Sequence, residues 1–216
     1  MEIDDELIDI YDASLRPLGR KNRRQAHLDG DWHRTFHCWV VRGGPNPAML
    51  FQLRSTKMGD YPGQWDVSAA GHVLAGESIL DSAREISEEL GIQFDLDSLI
   101  FAGERIEVAD DPGGIRNREY QSVFFLRYDS PIEQFRPDLN EVEGLLWLPI
   151  ASGIELFSDA IRSTTCEAVI VDGKGTHRHD IEVARPDFVP RIPRYYLASL
   201  LSAVRVLAGE SPIALG

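Results

Sequence analysis

The chain has 216 residues, 43% of them apolar, and its 35 acidic against 22 basic side chains give a net charge of −13. A surface of that sign repels a polyphosphate backbone, which excludes a nucleic-acid-coating role and requires an anionic small substrate to be met by a metal or a local basic cluster. Two cysteines, Cys38 and Cys166, make no disulfide framework and fit a reduced, cytoplasmic setting. The start MEIDDELIDIYD lacks an apolar signal core, and no run of about 18 apolar residues offers a membrane span.

LIDIYD alternates and meets the turn-rich ASLRPLG, which predicts a first strand and a turn. TFHCWVV (35–41) and AMLFQLRS (48–55) are β-branched or aromatic runs flanking GGPNP, the arms of a hairpin. QWDVSAAGHV (64–73) reads as a strand leading into a glutamate-rich segment. LIFAGERIEVA (99–109) and REYQSVFFLRYD (118–129), joined by DDPGGIRN, read as two more, and VEGLLWLPI (142–150) as another, with IELFSDA starting a short helix. EAVIVDGKGTHRHDIEVA (167–184) reads as a hairpin around Gly173 and Gly175. RYYLASLLSAVRVLAG (194–209) spaces Tyr196, Leu200, Ala203, Val204 and Leu207 as one helix face, stopped by Gly209. Strands, a helix, more strands and a final helix make an α+β pattern, a mixed sheet between helices. We expect one domain over 1–216: a core of about 30–150, an N-terminal strand and turn over 1–29, and a C-terminal elaboration over 151–216.

On a helix over residues 79–90, Ile79, Ala83, Ile86 and Leu90 share a narrow apolar stripe, while Glu85, Glu88 and Glu89 fall opposite, within an arc of about 100°. Gly91 follows as a C-cap. A solvated acidic face is the bland reading. Two features oppose it: Glu88 and Glu89 sit at the C-terminal end, against the helix dipole, and no lysine relieves them. A divalent cation would relieve all three, and carboxylate oxygens suit Mg²⁺ or Mn²⁺.

Gly71, five residues, Glu77, then Arg84-Glu85-Ile86, one residue, Glu88-Glu89, one residue and Gly91-Ile92 resembles the Nudix box. One departure stands at the helix entry, where six residues (78–83) replace the usual seven between Glu77 and Arg84. The resemblance implies a Nudix α/β/α sandwich and metal-dependent hydrolysis of a diphosphate joined to another group. It also implies Glu88 and Glu89 as the main metal ligands and Glu85 as a third ligand or as the base for the attacking water. Arg84 would orient the glutamates, with Glu77 as an ion-pair partner, and the Gly71 carbonyl would face a metal.

AHLDGDWHRTFHCWVV, YPGQWDVSAAGHV and IRNREYQSVF are similar to the N-terminal regions of type I isopentenyl-diphosphate isomerases and related Nudix hydrolases. Those isomerases place a catalytic cysteine before a Gly-His pair; here Ala70 precedes Gly71-His72, and alanine neither donates nor takes a proton. Their metal site of three histidines and two glutamates corresponds to His27, His33, His72 and Glu119, with Asn117 where the second glutamate would stand. Individually, structural roles are the default for His27, His33, His37 and His72. In polar HRH, His177 and His179 read as solvated. Glu119 leads as a catalytic carboxylate outside the box, ahead of Glu141 and Glu143.

For the substrate's phosphates we expect Arg54 and Lys57, at a strand end before YPGQW, with the basic run RKNRR (20–24) as an alternative that reads equally well as a solvated turn. His72 is a further substrate-binding candidate, as are Trp32 and Tyr61 for stacking; Trp65 and Trp147 read as core. The expected activity is hydrolysis of a nucleoside or other organic diphosphate with Mg²⁺ (or Mn²⁺), by a monomer or homodimer. An isomerase-like enzyme and a catalytically idle ligand-binding module are the alternatives.

Overall fold

A computed structural model of the chain describes residues 6–110, 114–172, 175–191 and 194–215. The acidic start over 1–5, part of the DDPGGIRN loop and the Gly173 turn lie outside the described residues. Strand β1 (Leu7–Tyr11) pairs with β2 (Pro17–Asn22), and a short helix α1 (Arg23–Asp29) follows. Sequence reading missed α1 because seven residues show no periodicity. Its signal was the caps: the Asn22 side chain accepts from the Arg24 N–H, and Gly30 closes the helix at φ 73.

The centre is β3 (Trp32–Arg42), paired in parallel with β8 (Arg116–Arg127), which runs antiparallel to β7 (Leu99–Asp110). On the other side lie β4 (Ala48–Arg54), β9 (Val142–Pro149), β10 (Ser163–Asp172) and β11 (Gly175–Ala184), all antiparallel neighbours. Strands β3 and β4 pair at Val41–Met49 and Arg42–Ala48 and then diverge. Beyond that point β3 pairs with β6 (Ala69–His72), and β4 with the two-residue β5 (Trp65–Asp66). The divergence leaves a split in the sheet, and that split positions the site.

Alternation on the strands builds two cores, one per face. Phe36, Cys38 and Val40 of β3 pack with Ile86 and Leu90 of the glutamate helix α2 (Arg84–Leu90). Trp39 and Val41 pack with α3 (Ile150–Phe157) and α4 (Tyr195–Leu207), through Leu156, Tyr195, Tyr196 and Leu200. The result is the expected α/β/α sandwich. The C-terminal hairpin and helix are where the sequence put them, but the face of α4 is rotated: Val206 is buried, and Val204 is 47% exposed. Trp65 and Trp147 are core, as expected.

The glutamate helix is shorter than the spacing suggests. Residues 81–83 form a 3-10 turn, and the α-helix begins only at Arg84. A 3-10 turn rises faster than an α-helix, and over three residues the gain is about 1.5 Å, the rise of one α-helical residue.

Candidate active site

Glu89 closes the split in the sheet. Its Oε2 accepts the Ala70 N–H of β6 at 3.0 Å and the Gln52 amide of β4 at 3.2 Å. The residue is 6% exposed and has no cationic partner within 4.0 Å among the described residues. Burial, then the nearby Glu85 and Glu141, hold its carboxyl well above the ordinary carboxylate range. Glu85 lies one turn earlier, pushed up to about 7 by burial against the opposing pull of Arg84. A Cβ built on Gly71 would stand 2.3 Å from the Glu85 carboxyl carbon, so only glycine lets that carboxylate lie against β6. Glu88 projects outward, its side chain 61% exposed.

Arg84 gathers these acids. Its guanidinium contacts Glu85, lies 3.5 Å from Glu77 and is 3.7 Å from Glu88. Glu77 also accepts the Leu74 N–H at 3.0 Å, which ties the loop after Gly71 to the helix. A fourth acid joins from the loop before β9: Glu141 is raised by burial and then by Asp138, and it lies in the field of Glu88. The loop is anchored on the helix C-terminus, where the Asp138 N–H donates to the Glu89 carbonyl at 3.1 Å. Buried carboxylates without counter-cations are costly. Glu89 is buried without one among the described residues, and with Glu85, Glu141 and the exposed Glu88 it makes a carboxylate set that suits a hard divalent cation.

A second pole lies beside it. His27, His33 and His72 offer ligand atoms within 4.8 Å of one another. His33 donates Nδ1–H to the Asp31 carbonyl at 2.9 Å, which leaves Nε2 with its lone pair inward. That Nε2 is buried without a hydrogen-bond partner, as are Nδ1 of His27 and of His72. His27 Nε2 and His72 Nε2 are 3.0 Å apart. Burial holds His27 at about 4 and His72 well below the ordinary imidazole range, so both are neutral at pH 7. Neutral imidazoles with orphaned nitrogens suit a divalent transition metal.

Glu119 belongs to this histidine pole. It is 7% exposed, its Oε2 accepts from Gln121 at 2.6 Å, and its Oε1 is 3.9 Å from His33 Nε2. The ionisable groups that act on it are His33, His37 and Arg191, whereas those that act on Glu89 are Glu85, Glu141 and Arg54. Of the carboxylates outside the box, then, Glu141 joins the box glutamates and Glu119 joins the histidines. His72 is buried and neutral, and it points to His27 rather than offering charge to a phosphate. Glu143 ties a turn instead, accepting from Ser55 at 3.0 Å and Thr56 at 2.7 Å.

Arg54 is paired with Asp60 at 2.7 Å and reaches Asp66 at 3.6 Å. Lys57 contacts the Asn140 amide oxygen at 3.5 Å. Trp32 packs on Tyr120, ring centroids 4.8 Å apart, and Tyr61 sits in a turn at φ 47. In RKNRR, Arg20 pairs with Asp9, Lys21 with Asp29 and Asp31, and Arg23 with Glu6, so these charges are already met by acids. His37 is structural: its Nδ1 accepts from the Tyr195 hydroxyl at 2.9 Å. Unlike the buried pairs, His177 and His179 stack on the outer hairpin at 5.9 Å.

A family description, NUDIX domain, matches residues 31–163. An uncharacterized Nudix hydrolase of Clostridium acetobutylicum is 36% identical over 197 residues, covering 90% of this chain and 95% of that protein. An isopentenyl-diphosphate Delta-isomerase of Burkholderia multivorans is 25% identical over 159 residues, covering 72% of this chain and 84% of that one. The crystal structure of a NUDIX hydrolase from Alicyclobacillus acidocaldarius superposes with a TM-score of 0.52 at 16% identity, covering 86% of this chain and 98% of that one, a likeness of fold.

Proposed function

This chain belongs to the NUDIX domain family, as a hydrolase acting on phosphorus-containing anhydrides, and on that premise we propose that it cleaves an organic diphosphate at the glutamate pole. Glu85, Glu88 and Glu89 would hold Mg²⁺ or Mn²⁺, with the Gly71 carbonyl as a further oxygen ligand. Bound there, the cation supplies neutralisation of the nonbridging phosphate oxygens and a more acidic water. Arg84 holds Glu85 and Glu88 in place, so the acids stay converged before substrate arrives. Glu85 or Glu141 would take the proton of the attacking water; burial raises both carboxyls above the ordinary range, which makes each a better proton acceptor than a solvated carboxylate. Arg54 and Lys57 receive the diphosphate, and Trp32 and Tyr61 flank its other half. The observation that carries the reading is the buried, uncompensated Glu89 in the split of the sheet.

A phosphate-release screen over nucleoside and prenyl diphosphates, with Mg²⁺ and then Mn²⁺, tests it. Turnover is expected with at least one compound, and Glu89→Gln should lower kcat by on the order of 10²–10³ while the fold survives. Turnover by that variant at the wild-type rate overturns the assignment.

The three orphaned histidine nitrogens favour a second reading, in which His27, His33 and His72, with Glu119, hold a second divalent ion. With Ala70 in place, we propose that this pole organises the substrate and does not isomerise it. Conversion of isopentenyl diphosphate to its dimethylallyl isomer would reverse that conclusion.

A further inference from the structure

The C-terminal arm reaches the site. Residues 185–191 lie beyond the matched stretch 31–163 and run along β5. The Val189 N–H donates to the Trp65 carbonyl at 2.9 Å, and the Tyr196 hydroxyl donates to the Val189 carbonyl at 2.9 Å. The arm ends with Arg191 set bidentate on Asp66, Nε at 3.2 Å and Nη2 at 2.5 Å. Asp66 is a buried anion, its side chain 3% exposed, and its own next N–H, from Val67, donates to it at 2.8 Å.

Among the described residues, the other cation facing Asp66 is Arg54. It stands 3.6 Å away, just outside hydrogen-bond reach, while its remaining donors hold the exposed Asp60. Arg54, the last residue of β4, is flanked by residues that touch the glutamate pole. Two residues before it, Gln52 holds Glu89; immediately after it, the Ser55 N–H donates to the Glu141 carbonyl at 2.8 Å. A buried carboxylate must be paired, and two arginines compete for this one. While Arg191 saturates Asp66, Arg54 keeps a donor for an incoming anion.

We infer that Arg191 is a positioning residue: by occupying Asp66, it keeps Arg54 available to the substrate's phosphate beside Glu89. The inference rests on the reading that a diphosphate binds there. The arm acts through Arg54 and touches no reacting atom. Removing Arg191 leaves Asp66 to draw Arg54 into a full ion pair, and anion affinity falls. Removing Asp66 instead leaves Arg191 without its carboxylate and Arg54 held by the exposed Asp60 alone, and anion affinity rises. Removing both restores the balance.

The test measures KM, kcat and thermal unfolding for wild type, Arg191→Gln, Asp66→Asn and the double variant. In parallel, methylenediphosphonate, which is not hydrolysed, is titrated calorimetrically with Mg²⁺ present. Arg191→Gln should weaken the analogue and raise KM by about tenfold, with the loss on KM rather than kcat. Asp66→Asn should tighten the analogue, and the double variant should return to within about threefold of wild type. A folded Arg191→Gln protein with wild-type affinity overturns the inference, as does a double variant no better than Arg191→Gln alone. If Arg191→Gln does not fold, Asp66→Asn decides, and unchanged or weaker analogue binding overturns it. Analogue binding in the expected order without turnover of any diphosphate would sink the hydrolytic reading alone. Turnover without that order would sink this inference alone.

Discussion

Gly71 and Glu85 show how one missing methyl group sets a charged site. The space beside the Gly71 Cα is filled by the far end of the Glu85 side chain, 2.3 Å from where a Cβ would stand. A side-chain end can move where a backbone cannot. Gly71→Ala should therefore cost less than about 1.5 kcal/mol of stability while displacing the carboxylate. The expected result is a kcat loss of about tenfold or more in a protein whose urea midpoint barely shifts. A large drop in the midpoint with activity retained would mean the glycine serves packing alone. The same residue-scale logic explains Arg84, which lies among three glutamates and reaches all of them only because each is within one turn or one loop of it.

The glutamate helix depends on what stops it. Gly91 takes φ 64 and closes the helix onto the Ser87 carbonyl. A Cβ there would meet the Arg136 carbonyl oxygen at 2.1 Å, a backbone atom that cannot step aside. Gly91→Ala should cost about 2–4 kcal/mol, read as a lower urea midpoint at an unchanged slope, and so contrast with Gly71→Ala. The same stop carries function, because Arg136 and Asp138 donate to the Leu90 and Glu89 carbonyls and so bring the loop of Glu141 to the helix end. At the other end a 3-10 turn over Asp81–Ala83 leads into the α-helix, whose own 3.6-residue period sets the angles between Glu85, Glu88 and Glu89.

Across the whole molecule, the sheet's split divides the chemistry into two poles, one of carboxylates and one of imidazoles. The carboxylate pole costs stability while no cation sits in it. Adding Mg²⁺ to metal-free protein should raise the unfolding temperature by several degrees, as expected for about 2.7 kcal/mol at a hundredfold excess over Kd. The shift should vanish in Glu89→Gln; an equal shift in both proteins would place the cation elsewhere.

Periods of two or 3.6 residues and fixed local spacings made the stop of the box helix, the alternating strands, the last helix and the family legible in the chain, though not the 3-10 turn that precedes Arg84. The sequence also named every histidine of the second pole, through a resemblance rather than through any local pattern. Tertiary structure alone decided that Glu141 stands with the box glutamates while Glu119 stands with His33, since linear order does not say where a sheet will split. It likewise decided that Arg191, 125 residues after Asp66, closes on it. A buried charge selects its partner by distance in space, and no period in the chain encodes that distance.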